Sequence, residues 1–223
     1  MKYYSIAIDG TAGSGKGTVG KLLSNKLGIN YVSTGAVFRA IGLYCLNNEI
    51  DPTNKYLVEN VCQKSNISIK FINGEQYTFL NEDDVTQELN SSIAGVYAAK
   101  VGVHAISHIK AAQIIRALAK DCSIVVDGRE IGYFMLPNAT VKFYLDAKPE
   151  ERAKRRFLQL KDGENITYEQ ILEQIIERDR LDITRENFPL KRCEDAVYID
   201  STNMSINEVV QCMYNKVMEK INS

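Results

Sequence analysis

The chain has 223 residues, of which 45% are hydrophobic and 25% charged, close to the average for soluble globular proteins. Its 27 Lys and Arg residues nearly balance 28 Asp and Glu, so no net field would hold it on nucleic acid or an anionic membrane. It contains no run of 18 apolar residues and no cleavable leader, so we expect neither membrane insertion nor export.

The first predicted unit, in chain order, is a strand, a loop and a helix. Residues 4–9 are a short apolar run that favours a buried parallel strand, and a glycine-rich loop follows at once. Apolar residues recur at helical spacing over 18–26 and stop at Gly28, a residue typical of helix C-caps.

The rest of the chain continues this alternation, and we expect a single domain over residues 1–223. Strands that alternate with helices predict an α/β fold with a central parallel sheet covered on both faces. Further strands are predicted at 123–127, 140–145 and 197–200, and helices at 36–46, 103–119, 150–160, 166–182 and 206–221.

One region breaks the alternation of strands and helices. Residues 67–72 and 77–80 alternate apolar and polar side chains around Asn73-Gly74, a dipeptide typical of hairpin turns. We therefore predict a small β insertion over about residues 61–95.

The cysteines are scattered and odd in number, and none has the C-x-x-C spacing of zinc or redox sites. They indicate reduced thiols in a cytoplasmic protein. The cysteines are Cys45, Cys62, Cys122, Cys193 and Cys212.

The loop after the first strand fits the G-x-x-x-x-G-K part of a phosphate-binding motif. Backbone N–H groups, a helix N-terminus and a lysine would each stabilise anionic oxygen there. A glycine-rich turn that binds nothing, or only a dinucleotide, is the alternative, but the lysine and the strand-to-helix context argue against it. The predicted ATP-binding residues are Gly10, Thr11, Ala12, Gly13, Ser14, Gly15, Lys16, Gly17 and Thr18.

A magnesium ion usually accompanies a bound triphosphate, and an acid on a neighbouring strand positions it. Asp127 ends the apolar run SIVVD, so we take Asp127 and Thr18 as the candidate metal ligands, directly or through water. Asp127 could instead only cap the following turn.

Two groups of arginines have helical spacing. Arg152, Arg155 and Arg156 share one helix face, where they could close over ATP or simply pair with neighbouring glutamates in solvent. Arg178 and Arg185 share a stripe with Asp182, which suits either a braced anion site or a surface ion-pair ladder.

Arg39 and Arg129 add further guanidinium groups at predicted loop-to-helix junctions. Beside a phosphate loop, so many arginines indicate a second bound phosphate, because planar guanidinium binds phosphate bidentately. A phosphate monoester with a second pKa near ~6 is already mostly dianionic at neutral pH, so such an acceptor needs cations more than a general base.

His104 and His108 stand at i and i+4, a spacing that can bind a metal. Because no Cys or acidic ligand is clearly grouped with them, we interpret them as polar positions on the helix 103–119.

Several segments together make the chain resemble the bacterial cytidylate kinases over nearly its whole length. They are IAIDGTAGSGKGT, STGAVFRA, DGREIG, EERAKRRFLQL, IIERDRLDITR and IDSTNMSINEVV. The resemblance implies a P-loop kinase three-layer sandwich with a small β insertion near the acceptor and a short lid over about 148–165. It also implies transfer of the γ-phosphoryl group of ATP to CMP or dCMP with Mg²⁺, and we expect a monomer.

The resemblance also assigns side chains to the two substrates. It places Asp182 at the acceptor's pentose, and it places Lys16, Arg152 and Arg156 on the ATP side, so that the catalytic candidates are these three with Asp127 and Arg129. The acceptor-binding candidates are Thr34, Arg39, Lys110, Arg129, Glu130, Arg178, Asp182 and Arg185.

The sequence departs from the family pattern at five places, one of which is a serine of the family with no clear match in YAAKVG. Glu130 replaces Asp, Thr11 replaces Pro, Tyr133 replaces Thr, and the family's base-reading arginine corresponds to Lys110. Glu130 can still accept a hydrogen bond from a cytosine amino group, whereas Lys110 lacks the planar fork of arginine.

Two other functions compete with this one. The chain could be a P-loop kinase for another small acceptor, such as UMP, AMP or a non-nucleotide. It could also be a nucleotide-binding regulatory module, although such a module has no need of a second phosphate site.

Overall fold

The computed structural model describes residues 3–159 and 166–222. A 3₁₀ turn covers Glu88–Asn90 and a π-helical turn covers Ile131–Met135. The other elements, in chain order, are β1 (Ser5–Gly10), α1 (Lys16–Leu27), β2 (Asn30–Ser33), α2 (Gly35–Asn47), α3 (Lys55–Lys64), β3 (Ile67–Ile72), β4 (Glu75–Leu80), β5 (Asp83–Asp84), α4 (Ser92–Val101), α5 (Ala105–Asp121), β6 (Ile124–Gly128), β7 (Val141–Asp146), α6 (Pro149–Gln159), α7 (Tyr168–Thr184), β8 (Val197–Asp200) and α8 (Ile206–Asn222).

Five parallel strands form the central sheet, in the spatial order β2-β6-β1-β7-β8. Successive residues of β1 point to opposite faces, so Ile6 and Ile8 pack with α1 and α8 while Ala7 packs with α2 and α5. All three side chains are fully buried. The predicted three-layer α/β sandwich is therefore confirmed.

The predicted hairpin is present as β3 and β4, paired antiparallel with Ile72 opposite Glu75. The turn residues Asn73 and Gly74 have φ of 53° and 81°, the left-handed values that a tight two-residue turn requires. With the short β5 they form a separate three-stranded sheet. These strands lie inside the expected insertion 61–95, whose two ends belong to α3 and α4.

The small sheet is attached beside the carboxyl end of the central sheet. The backbone N–H of Ser33, the last residue of β2, donates to Oε1 of Gln76 on β4 at 2.8 Å. At the exposed end of the hairpin, Lys21 pairs with Glu75 at 2.7 Å. The insertion is therefore held against the edge where parallel strands place their functional loops.

Some elements were not predicted from the sequence. The strand β2 is only four residues long and buries one side chain, Val32, so its apolar pattern is weak. The helices α3 and α4 begin at side-chain caps from Asn54 and Ser91, which were not recognised as start signals.

The predicted lid over 148–165 falls partly on residues 160–165, which lie outside the described residues. The described part contains α6, and α7 follows with a capping box between Thr167 and Gln170. Over residues 3–159 and 166–222, no helix combines the length and the apolar character that a membrane crossing requires. All five cysteines carry free thiols.

Candidate active site at the carboxyl edge of the sheet

The loop from Gly10 to Thr18, here called the phosphate loop, joins β1 to α1 at the centre of the sheet. Gly10 has φ 149°, and a Cβ atom there would lie 1.9 Å from the carbonyl oxygen of Leu145 on β7, so only glycine fits. Gly15, with φ 91°, precedes α1 in the left-handed conformation. The N-terminus of the 12-residue helix α1 therefore opens onto the loop, where it favours bound anions.

Lys16 is folded into this loop with only 5% of its surface exposed. Its Nζ donates to the carbonyl of Thr11 at 2.6 Å and lies 3.4 Å from Ser14 Oγ. Burial, followed by the nearby Arg129, lowers the pKa of Lys16 to about 7, and Asp127 opposes the shift. A cation held in this way gains strongly from an added anion.

The glycine after Lys16 makes room for a pair of polar side chains. Tyr31 Oη donates to Asp127 Oδ1 at 2.8 Å. A Cβ on Gly17 would lie 3.3 Å from Tyr31 Oη and 3.9 Å from Asp127 Oδ2, so a larger side chain would crowd both. Burial raises the pKa of Asp127, with Lys16 opposing it. Its Oδ2 lies beside the first turn of α1, where Thr18 is exposed.

Ala12, within the phosphate loop, is held from both sides by α6 and α7. Its N–H donates to Asp179 Oδ1 at 2.9 Å, and its carbonyl accepts from Arg152 Nη1 at 2.6 Å. Arg152 Nη2 and Asp179 Oδ2 pair at 2.7 Å, and Arg152 Nε donates to the carbonyl of Ala147. The buried guanidinium of Arg152 thus braces the loop in this conformation.

Three arginines from two distant segments meet around two carboxylates, and we call Arg129, Arg178, Arg185, Asp182 and Glu130 the arginine cluster. Arg129 Nε donates to Asp182 Oδ2 at 2.7 Å, and Arg178 Nε lies 3.6 Å from Asp182 Oδ1. Arg185 Nη2 donates to Glu130 Oε2 at 2.7 Å. Burial alone would raise the pKa of Asp182, but Arg129, followed by Arg178 and Arg185, brings it below its ordinary value.

Asp9 ties the segment that carries this cluster to β1. Its two carboxylate oxygens accept from the N–H groups of Ile131 and Gly132, each at 2.8 Å, at the start of the π-helical turn. π-helical turns are rare and occur mostly at functional sites. Burial raises the pKa of Asp9 to about 6, although the two N–H groups oppose the rise.

We expect Asp9→Asn to show how this raised pKa is linked to stability. Because the folded pKa is about 6 and the unfolded pKa 3.8, the contribution of Asp9 is fully present below the unfolded pKa and is lost as pH rises through 6. The stability advantage of the wild type over Asp9→Asn should be roughly 1 to 1.5 kcal/mol larger at about pH 5 than at about pH 7.5.

Urea unfolding at the two pH values measures this difference. Asp83→Asn, which removes an exposed carboxylate from β5, controls for the change in net charge. An advantage that is the same at both pH values would contradict the buried-carboxylate account.

The remaining predicted residues are placed as follows. Thr34 is buried, and its Oγ1 donates to the carbonyl of Asp127 at 2.9 Å. Arg39 is exposed on the first turns of α2, and Arg156 is exposed on α6. Lys110 does not join the arginine cluster, because its Nζ donates to the carbonyl of Ser65 at the end of α3.

Sequence reasoning missed four side chains of the site. Asp9, Tyr31 and Asp179 gave no local signal of their partners, since each pairs with a residue far along the chain. The sequence predicts His108 only as a polar position on the helix 103–119, whereas its Nδ1 lies 2.6 Å from Glu130 Oε1.

A phosphate loop at the end of the central strand, with guanidinium groups gathered next to its lysine, defines a P-loop kinase, a phosphotransferase that binds a nucleoside triphosphate. The arginine cluster lies close enough to the phosphate loop to act on Lys16, because Arg129 lowers the pKa of its amine and Asp182 raises it. The chain belongs to the cytidylate kinase family, whose sequence profile matches residues 6–220.

Curated relatives agree with this assignment over nearly their full length. A cytidylate kinase of Caldicellulosiruptor bescii is 43% identical over 220 residues, covering 98% of this chain and 96% of that protein. Another from Thermosipho africanus is 44% identical, covering 96% and 95%, and one from Clostridioides difficile is 37% identical, covering 95% and 97%.

Solved structures with a similar fold are much more distant in sequence. An uncharacterized protein from Eubacterium ventriosum aligns with a TM-score of 0.52 and 14% identity, covering 96% of this chain and 98% of that one. The protein TT1252 from Thermus thermophilus aligns with a TM-score of 0.51 and 15% identity, covering 99% and 98%. At these identities the similarity supports the fold alone.

Proposed function

We propose that this chain transfers the γ-phosphoryl group of ATP to CMP or dCMP, giving ADP and CDP or dCDP. The observation that carries the proposal is the arginine cluster beside the phosphate loop, in a chain of the cytidylate kinase family. Two separate cationic sites suit a reaction between two phosphate-bearing substrates.

The phosphate loop binds the triphosphate of ATP. Its backbone N–H groups and the N-terminus of α1 contact the phosphate oxygens, and Lys16 leaves its carbonyl partner to neutralise the β- and γ-phosphates. Arg152 supports this side through the backbone of Ala12, while the exposed Arg156 on α6 approaches from the lid.

The arginine cluster binds the phosphate of the acceptor. Arg129, Arg178 and Arg185 offer N–H groups to it, together with Arg39 and the hydroxyl of Thr34, and Asp182 contacts the pentose. An acceptor phosphate oxygen attacks the γ-phosphorus, the bond from γ-phosphorus to the bridging oxygen breaks, and ADP leaves with the electron pair. No side chain need act as a base, because the acceptor phosphate is already mostly ionised near neutral pH.

The residues present fit a magnesium ion. Such an ion is usually held by one or two protein oxygens, substrate phosphates and water. Asp127 Oδ2, which lies 3.9 Å from a Cβ placed on Gly17, and the exposed hydroxyl of the next residue, Thr18, would supply the protein oxygens. The part of the chain that the structure describes groups no three acidic, His or Cys ligands elsewhere for a metal. When bound, Mg²⁺ would neutralise charge on the β- and γ-phosphates.

An assay of ADP release with different acceptors tests the proposal. CMP and dCMP should be the fastest acceptors, UMP and AMP should be slower by roughly 10-fold or more, and ADP release without acceptor should be very slow. Faster turnover of UMP, AMP or a non-nucleotide would identify a different kinase. ADP release that ignores the acceptor would indicate a regulatory module.

We further propose that the enzyme works as a monomer in the cytoplasm. The five free thiols support the cytoplasm, because they suit a reducing compartment. Sedimentation of the purified protein with and without nucleotide tests the monomer.

A further inference from the structure

His108 is a buried histidine that touches the arginine cluster. It lies on α5 with 1% of its surface exposed. Its Nδ1 is 2.6 Å from Glu130 Oε1, and its Nε2 is 2.8 Å from the carbonyl oxygen of Gly102. The ring of Phe38 meets the imidazole edge-on, with centroids 4.8 Å apart, and the centroid of the Phe188 ring lies 5.1 Å from it. Hydrogen bonds and aromatic contacts together fix the orientation of the imidazole.

The two partners of the imidazole fix where its protons lie. The Gly102 carbonyl can only accept, so Nε2 carries a proton. The contact of Nδ1 with Glu130 then requires one more proton between those two atoms, whether it is formally on the ring or on the carboxyl group. His108 and Glu130 therefore form a neutral pair whose shared proton lies on the Oε1 side of Glu130.

The Glu130 side chain has little rotational freedom, and only 4% of it is exposed. Oε1 is engaged by His108, and Oε2 accepts from Arg185 Nη2 at 2.7 Å. A glutamate has three rotatable side-chain torsions, and a donor at each oxygen removes the freedom of the last of them. The carboxyl group thus presents a fixed plane and fixed lone pairs.

Lys110 cannot supply the same contact. Residues 108 and 110 are ~200° apart around a helix, and the Lys110 amine binds Ser65 on the other side of α5. The cationic or donor group that α5 offers to Glu130 is the imidazole.

We infer that His108 is a positioning residue that holds Glu130 as a hydrogen-bond acceptor for the exocyclic amino group of the acceptor base, and thereby sets the preference for cytosine over uracil. This inference rests on the proposed transfer to CMP. Cytosine offers N–H donors at the position where uracil has a carbonyl oxygen. A carboxyl group whose proton is committed to His108 can accept from the amino group but has nothing to donate to the carbonyl.

Two variants of His108 and one control test the inference. His108→Leu removes the donor to Glu130, and His108→Asn keeps an amide N–H near the place of Nδ1. His104→Gln is the matched control, because His104 precedes the same helix and binds the carbonyl of Pro52 instead. For each protein, kcat/KM is measured with CMP and with UMP, together with the KM for ATP and the Tm.

We expect His108→Leu to lower the ratio of kcat/KM for CMP to that for UMP by about 10-fold or more, since it removes one of the two hydrogen bonds that hold the Glu130 carboxyl group. His108→Asn should keep the ratio within about threefold of the wild type. The KM for ATP should stay unchanged in all three variants. A merely structural role would lower activity with both acceptors alike and leave the ratio intact, which would overturn the inference.

A second measurement does not depend on a stable His108 variant. The chain has two histidines, so in His104→Gln the imidazole of His108 gives the single histidine signal in ¹H–¹⁵N spectra. That signal should shift when CMP is added and respond less to UMP at the same occupancy. Equal responses to CMP and UMP would also overturn the inference.

The outcomes separate this inference from the proposed function. If the wild type prefers CMP but His108→Leu retains the preference, the function stands and the inference fails. If the wild type does not use CMP, the proposed function fails and the inference fails with it.

Discussion

Lys16→Met is expected to lower kcat for transfer from ATP to CMP by roughly 10³-fold or more, the scale seen when a charge that stabilises a phosphoryl-transfer transition state is removed. Lys16 is the first residue of α1, and within residues 3–159 and 166–222 its Nζ bonds to the Thr11 carbonyl and the Ser14 hydroxyl and pairs with no carboxylate. Its charge is therefore available to the β- and γ-phosphates. Coupled ADP release at saturating CMP measures the effect.

The same substitution is expected to leave the Tm unchanged or higher. Burial lowers the pKa of Lys16 to about 7, which means that the folded state holds the charged amine unfavourably. A methionine of similar length avoids that cost, and Ser14 Oγ still donates to the Thr11 carbonyl at 2.9 Å. Lys21→Met, on the exposed face of α1, is the control and should keep full activity. An active Lys16→Met protein would contradict the assignment of the phosphate loop.

Arg185→Met is expected to raise the KM for CMP by roughly 10²-fold, because it removes a charge-assisted bond from the acceptor site and leaves Glu130 without its partner on Oε2. The KM for ATP should change by less than about threefold, since Arg185 makes no contact with the phosphate loop among its hydrogen bonds. Initial rates with each substrate varied in turn separate the two constants.

Arg180→Met gives the matched control for this prediction. Arg180 lies on α7, five residues before Arg185 at the C-cap of that helix, is more than half exposed and pairs with Glu177 at 2.7 Å. Exposed pairs of this kind contribute about 0 to 1 kcal/mol, so neither KM should move appreciably. Equal effects of the two substitutions would show that α7 is merely being perturbed.

Much of the fold and part of the site could be predicted because the signals are local. The phosphate loop is nine consecutive residues between a strand and a helix, and the Asn73-Gly74 hairpin is set by its turn. The stripe of Arg178, Asp182 and Arg185 follows from helical spacing, and the structure brings its members to one cluster.

The rest depends on pairs that only the folded chain creates. Nothing near Asp9 indicates that its carboxylate will cap the backbone at Ile131 and Gly132. His108 carries a spacing that suggests a metal, and only the packing of α5 against the π-helical turn shows that its partner is Glu130. Lys110 as a base-reading residue stays a prediction, and its amine contacts Ser65.

The hydrogen bonds from Arg152 and Asp179 to the backbone of Ala12 also determine when a newly synthesised chain can bind ATP. These two hydrogen bonds reach residues 140 and 167 positions further along the sequence. Synthesis delivers the N-terminal strand first, and contacts of such separation form late. The nascent polypeptide therefore carries the phosphate-binding motif long before it has the shape to use it. A product truncated before α7 would keep the motif and lack its support.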